Sequence, residues 1–144
     1  MTARFFTSPI SQGLATVAAG LCIGYAGFAA AQMQVMLSGD QEVPPVTTAA
    51  KGSGSVTIAP DMSVSGSITT TGIAGTMAHI HDGAAGKNGP VIVPMIKDGD
   101  NAWKFPPGSK LTEAQYADYK AGNLYINVHS AANKGGEIRA QLKP

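Results

Sequence analysis

Beyond residue 32 the chain repeatedly alternates apolar and polar positions with the period of two that a half-buried strand imposes. A short apolar-rich run, Met33-Gln34-Val35-Met36-Leu37, comes first. In GSVTI, Val56 and Ile58 alternate with Ser55 and Thr57. In MSVSGSITT, Met62, Val64, Gly66 and Ile68 fall on one side. Pro60-Asp61 separates these two runs and predicts a hairpin. TMAHIHD (76–82) and PVIVPMI (90–96) are the next pair, joined by the glycine-rich DGAAGKNGP. NLYINVHS (123–130) and GEIRAQL (136–142), joined by AANKGG, predict a second hairpin. Pro44-Pro45 removes two backbone donors and assigns its segment to an edge or a loop.

One helix interrupts the strands. In LTEAQYADYKAG, Thr112 stands as N-cap with Gln115 three residues on, the pattern of a capping box. Leu111 is placed to staple against Tyr116, and Gly122 to end the helix after about two turns. About seven short strands, spaced by roughly 8–12 residues with Gly/Pro turns, predict an all-β fold. The expected form is a Greek-key β-sandwich or barrel, immunoglobulin-like or superoxide-dismutase-like, with one short helix.

Composition sets the leader apart. One basic residue, Arg4, precedes the uncharged LATVAAGLCIGYAGFAAA, which ends in Ala29-Ala30-Ala31 before Gln32. That order predicts a secretory signal peptide over 1–31 and a mature domain over 32–144. The 18-residue stretch, with three glycines, is marginal as a membrane anchor. Cys22 would leave with the leader, so the mature domain must be held by its core without disulfides. Removing Arg4 leaves nine basic and nine acidic residues with no basic run. Nucleic-acid binding and electrostatic attachment to membranes lose their basis. The expected location is periplasmic or secreted.

The chain has three histidines. Alternation puts Met77, His79 and His81 on one face of 76–82, opposite Ala78 and Ile80. In 123–129, Leu124, Ile126 and Val128 form the apolar face, so Tyr125, Asn127 and His129 point the other way. If the two strands are neighbours, the three imidazoles meet, and their ring nitrogens should lie within about 3–4 Å of one another around one ion. Such a set, lacking thiolate, suits copper first and zinc as the alternative over hard cations. Met77 is an accessory thioether that would favour Cu(I). Histidine ligands bind when neutral, so affinity should fall as pH drops through roughly 6.5. Read without a metal, the same histidines are solvated or hydrogen-bonded polar residues on outer strand faces.

Other chemistry is thinner. Glu137 and Arg139 share a strand face and form either a surface ion pair or, for Arg139, a flank to the histidines. Ser130 follows His129 with no oriented acid, and GAAGKNGP lacks the phosphate-loop pattern.

Three blocks, LSGDQEVPPV (37–46), GTMAHIHDGAAGKNGPVIV (75–93) and GNLYINVHSAANKGGEIRAQL (122–142), together resemble the CHRD domain, named for its repeats in chordin. The resemblance spans about residues 33–143. It implies an all-β, Greek-key-like fold and an exported bacterial single-domain protein, and it supports treating His79, His81 and His129 as a unit. The H-x-H pair is also similar to the copper-binding strand of copper/zinc superoxide dismutase. Those enzymes need more histidines and a metal-bridging partner, so redox turnover is not expected. The leading expectation is an exported copper-binding protein, in envelope copper homeostasis, whose partner is the ion and in some settings another envelope protein. A protein-interaction module without metal, as in chordin, is the alternative; a small copper oxidase or dismutase-like enzyme ranks third.

Overall fold

The computed structural model describes residues 32–144, together with Thr2. The signal peptide expected over 1–31, with Cys22, otherwise lies outside the described residues. The strands are β1 (Gln32–Ser38), β2 (Lys51–Ile58), β3 (Val64–Thr71), β4 (Gly75–Asp82), β5 (Val91–Pro94), β6 (Ile96–Lys97), β7 (Ala102–Lys104), β8 (Leu124–Ser130) and β9 (Ile138–Leu142). A helix, α1 (Glu113–Lys120), precedes β8.

All nine strands join one antiparallel sheet in the order β5-β4-β8-β9-β1-β2-β3-β7-β6. β5 and β6 stand at opposite edges of that sheet, yet only Met95 separates them in the chain. One residue spans a few ångströms, so the two edges must meet. The sheet is therefore curled into a nearly closed barrel, the second of the two expected forms. Near-closure also leaves little free strand edge for pairing with other chains.

Alternation produces the interior. Met33, Val35 and Leu37 of β1 are buried while Gln34 and Met36 are exposed. Val56 and Ile58, then Val64 and Ile68, continue the inner face. Ala78 and Ile80 meet Val128 and Ile126 directly across the β4–β8 pair, all fully buried. Each such aliphatic side chain contributes about 1.5–3 kcal/mol by leaving water. Trp103 of β7, a strand too short to show in the pattern, fills the interior beside Gly75. A side chain at Gly75 would stand 3.1 Å from both Trp103 and Val128, which explains the glycine.

The structure corrects two details of the strand reading. PVIVPMI is not one strand but two, β5 and β6, because Pro94 cannot donate and Met95 turns its N–H to the Ala78 carbonyl. Met62 is not on a strand face; it occupies the turn after Pro60-Asp61 with φ 69°. The helix forms as expected. Gln115 N–H donates to Thr112 Oγ1 at 3.2 Å and Thr112 N–H to Gln115 Oε1 at 2.9 Å, both halves of the capping box. At the other end Gly122 takes φ 77°, its N–H bonding Tyr119 and that of Asn123 bonding Asp118, a Schellman closure. The helix then docks on β1, where the buried Tyr119 hydroxyl donates to Met33 Sδ at 3.4 Å.

Candidate metal centre

β4 and β8 are neighbours, so the geometric condition set by the sequence is met. Their register pairs Met77 with His129, His79 with Asn127, and His81 with Tyr125. Directly paired residues project to the same face, so these six side chains share one side of the sheet. Two bulges bracket them. The β4–β8 register shifts between Gly75 and Met77, and the β4–β5 register shifts between Ile80 and His81. Bulges of this kind re-aim side chains at the ends of a pair.

The three histidines converge: each offers one ring nitrogen, and these atoms all lie within 4.8 Å of one another. No other such group of histidine, cysteine or acidic side chains occurs among the described residues. His79 Nδ1 lies 3.1 Å from His129 Nε2. That pair satisfies the expected 3–4 Å spacing, and the set as a whole is somewhat more open. Ligands arranged around one ion at about 2.0–2.1 Å stand about 3.3–3.6 Å apart, so closing the set needs imidazole shifts of about 1 Å.

Hydrogen bonding fixes which nitrogens face inward. His81 Nδ1 donates to the Gly89 carbonyl at 3.0 Å, and His129 Nδ1 donates to the Lys134 carbonyl at 2.8 Å. A carbonyl can only accept, so in the neutral rings both protons sit on Nδ1 and both Nε2 atoms carry a lone pair. His81 Nε2 is buried and has no partner. Paired carbonyl acceptors behind the ligating rings are a recurrent feature of metal sites, because they set tautomer and orientation. His79 approaches the others through Nδ1 instead, donating its Nδ1–H to the His129 Nε2 lone pair, so this nitrogen can ligate only after its proton moves to Nε2. Its ring stands edge-on to those of His129 and His81, at centroid distances of 5.0 and 5.6 Å.

The face opposite the barrel interior is not left to water. β8 is buried along its whole length, including Tyr125, Asn127 and His129. The cover is the DGAAGKNGP connection, together with the loops at Glu42-Val43 and at 131–136. Gly89 N–H donates to Tyr125 Oη at 3.2 Å, and Asn88 Nδ2 to the Val43 carbonyl at 2.7 Å. Gly89 is needed for this approach, since a side chain there would collide with the Asp82 carbonyl. The connection is thus a packed lid over His81, a role its turn-rich composition did not reveal.

Burial sets the electrostatics. Desolvation, followed by the neighbouring His129 and His81, holds the His79 pKa at about 4. His81 is also pushed below the ordinary imidazole range, mainly by burial and then by His129, against the hydrogen bonds of Gly89 and Asn127. Neutral rings are the form that binds metal. Arg139 flanks the patch, as one sequence reading allowed, and the surface ion pair with Glu137 is not formed. Glu137 accepts instead from Thr48 Oγ1 at 2.7 Å. Asn127, on the same face as the histidines, and Glu42, in the covering loop, are both buried and were not anticipated. Asn127 Nδ2 reaches Glu42 Oε1 at 3.5 Å, and burial raises the Glu42 pKa. Their one sequence signal was position: Asn127 alternates with His129, and Glu42 precedes Val43-Pro44-Pro45. Met77 sits across from His129 and is half exposed at the rim.

No curated protein and no solved structure matches this chain. The model of the CHRD domain matches residues 33–142, which hold the whole barrel interior and all three histidines. On that match, over most of its length, the chain belongs to the CHRD domain family.

Proposed function

We propose that this is an exported protein that binds one transition-metal ion, copper in preference to zinc, through His79, His81 and His129. One observation carries the reading. The buried Nε2 of His81 has no partner and belongs to a trio of ring nitrogens, two of them fixed in tautomer by backbone carbonyls. Leaving a buried polar atom unpartnered costs about 1–3 kcal/mol unless something occupies its lone pair. Three imidazole nitrogens with no thiolate and no carboxylate in the set disfavour Mg(II) and Ca(II). Among divalent ions the affinity order favours Cu(II), and Met77 at the rim supplies a thioether for Cu(I). Three protein ligands leave a coordination position open, which suits an ion that is taken up and passed on. The cellular role is handling of copper in the periplasm or outside the cell.

The test is metal retention. Purified protein mixed with Cu(II) or Zn(II) and stripped of excess metal should keep one ion per chain. A His79→Ala/His81→Ala/His129→Ala variant should keep none. Equal retention by the two proteins, or none by either, defeats the reading. A metal-independent interaction module would instead show partner capture that survives both chelator and the triple change.

A further inference from the structure

Arg139 lies in the middle of β9 with 1% of its surface exposed. No carboxylate lies within ion-pair distance of it, although the buried Glu42 acts on it through space, and the ion pair found among the described residues is Lys104–Asp98 at the surface. A buried cation is tolerated when its donors are met, and here they are spent largely on one segment. Nη1 donates to the Lys87 carbonyl at 3.0 Å and, more weakly, to Asn88 Oδ1 at 3.4 Å. Nη2 donates to the Ala84 carbonyl at 3.3 Å and to Gln141 Oε1 at 3.0 Å. Gln141 in turn donates to the Gly83 carbonyl at 2.9 Å. The guanidinium carbon lies 3.4 Å from the centroid of the Tyr125 ring. His81 stacks on the same phenol at 4.8 Å and 6° from parallel. Because β8 runs between β4 and β9, cation and imidazole take opposite faces of the ring.

The segment held by Arg139 is the one that supplies the Gly89 carbonyl to His81 Nδ1. We propose that Arg139 is a positioning residue for the histidine set: by clamping residues 83–88 and stacking on Tyr125, it keeps His81 in the Nδ1–H tautomer with Nε2 turned inward. The consequence for metal affinity rests on the reading given under Proposed function; the tautomer itself does not. Arginine suits this place because its planar fork spans two carbonyls while lying flat on an aromatic ring; a lysine ammonium, a compact point charge, cannot do both at once. His129 supplies an internal control, because its tautomer is set by Lys134 from a different loop.

The experiment is side-chain nitrogen NMR of the metal-free protein, with Cu(II) affinity measured by chelator competition. In the native protein both His81 and His129 should be Nδ1–H tautomers. In Arg139→Met, and to a smaller degree in the charge-conserving Arg139→Lys, His81 should become a mixture of tautomers while His129 stays Nδ1–H. Cu(II) affinity should fall about 10–100-fold, the usual effect of losing a partner behind a ligand. A folded variant in which His81 keeps its tautomer and Cu(II) its affinity overturns the proposal. If neither variant folds, the native spectrum still decides, since an Nε2–H His81 contradicts it. Failure of the native protein to bind Cu(II) sinks the metal reading alone, and the tautomer comparison then judges Arg139.

Discussion

His79 is the partly exposed member of the trio, and its chemistry differs from that of an imidazole in water. Its pKa of about 4 means that the folded state disfavours the proton that the unfolded chain accepts near 6.5. The stability it contributes is therefore complete above about 6.5 and is lost as pH falls from there through about 4. In the metal-free protein the His79 ring resonances should titrate near 4; a midpoint at 6.5 would refute the burial argument. The urea midpoint should drop across the same window, with a shallower drop in His79→Gln. Proton competition for metal should likewise begin lower than the value of about 6.5 expected for free imidazole ligands. Gly89 offers a second test at this scale. Alanine there would strike the Asp82 carbonyl, so the segment must shift and take its own carbonyl away from His81. Gly89→Ala should weaken Cu(II) binding about 10-fold or more, read by chelator competition. Gly86→Ala, in open space at the tip of the same loop, should leave affinity unchanged apart from local strain at φ 74°.

Elements separate what is local from what is not. The capping box of α1 was legible because both of its hydrogen bonds connect residues three apart. Thr112→Ala should cost about 1 kcal/mol in urea unfolding without changing metal affinity. The histidine face was legible for the same reason: period two needs no knowledge of the partner strand. That β4 would lie beside β8 was a condition the sequence could pose and not answer, since fifty residues separate His79 from His129. β6 and β7 escaped notice because they span only two and three residues and owe their form to each other and to β3. The same limit hid the lid. Nothing in DGAAGKNGP itself signals that it covers His81; its fixed shape comes from Arg139 and Gln141, more than fifty residues later.

At the scale of the molecule, the barrel gives the site two layers of support. Inside, Ile80 and Ile126 pack back to back with His79, His81, Tyr125 and Asn127 on the other surface of the same two strands. Ile126→Ala should cost about 2–5 kcal/mol and lower metal affinity as β8 loosens, measurable by unfolding and by chelator competition on one sample. Outside, three loops close over a face that a simple barrel would leave wet. This enclosure holds His79 and His81 in the neutral form and keeps the three rings close together, so little ordering remains when an ion arrives. The most direct measurement is X-ray absorption at the metal edge of the copper-loaded protein, native and His79→Ala. Three imidazole nitrogens at about 2.0–2.1 Å are expected in the first and two in the second. An oxygen-only shell, or an unchanged nitrogen count in the variant, would contradict the three-histidine site.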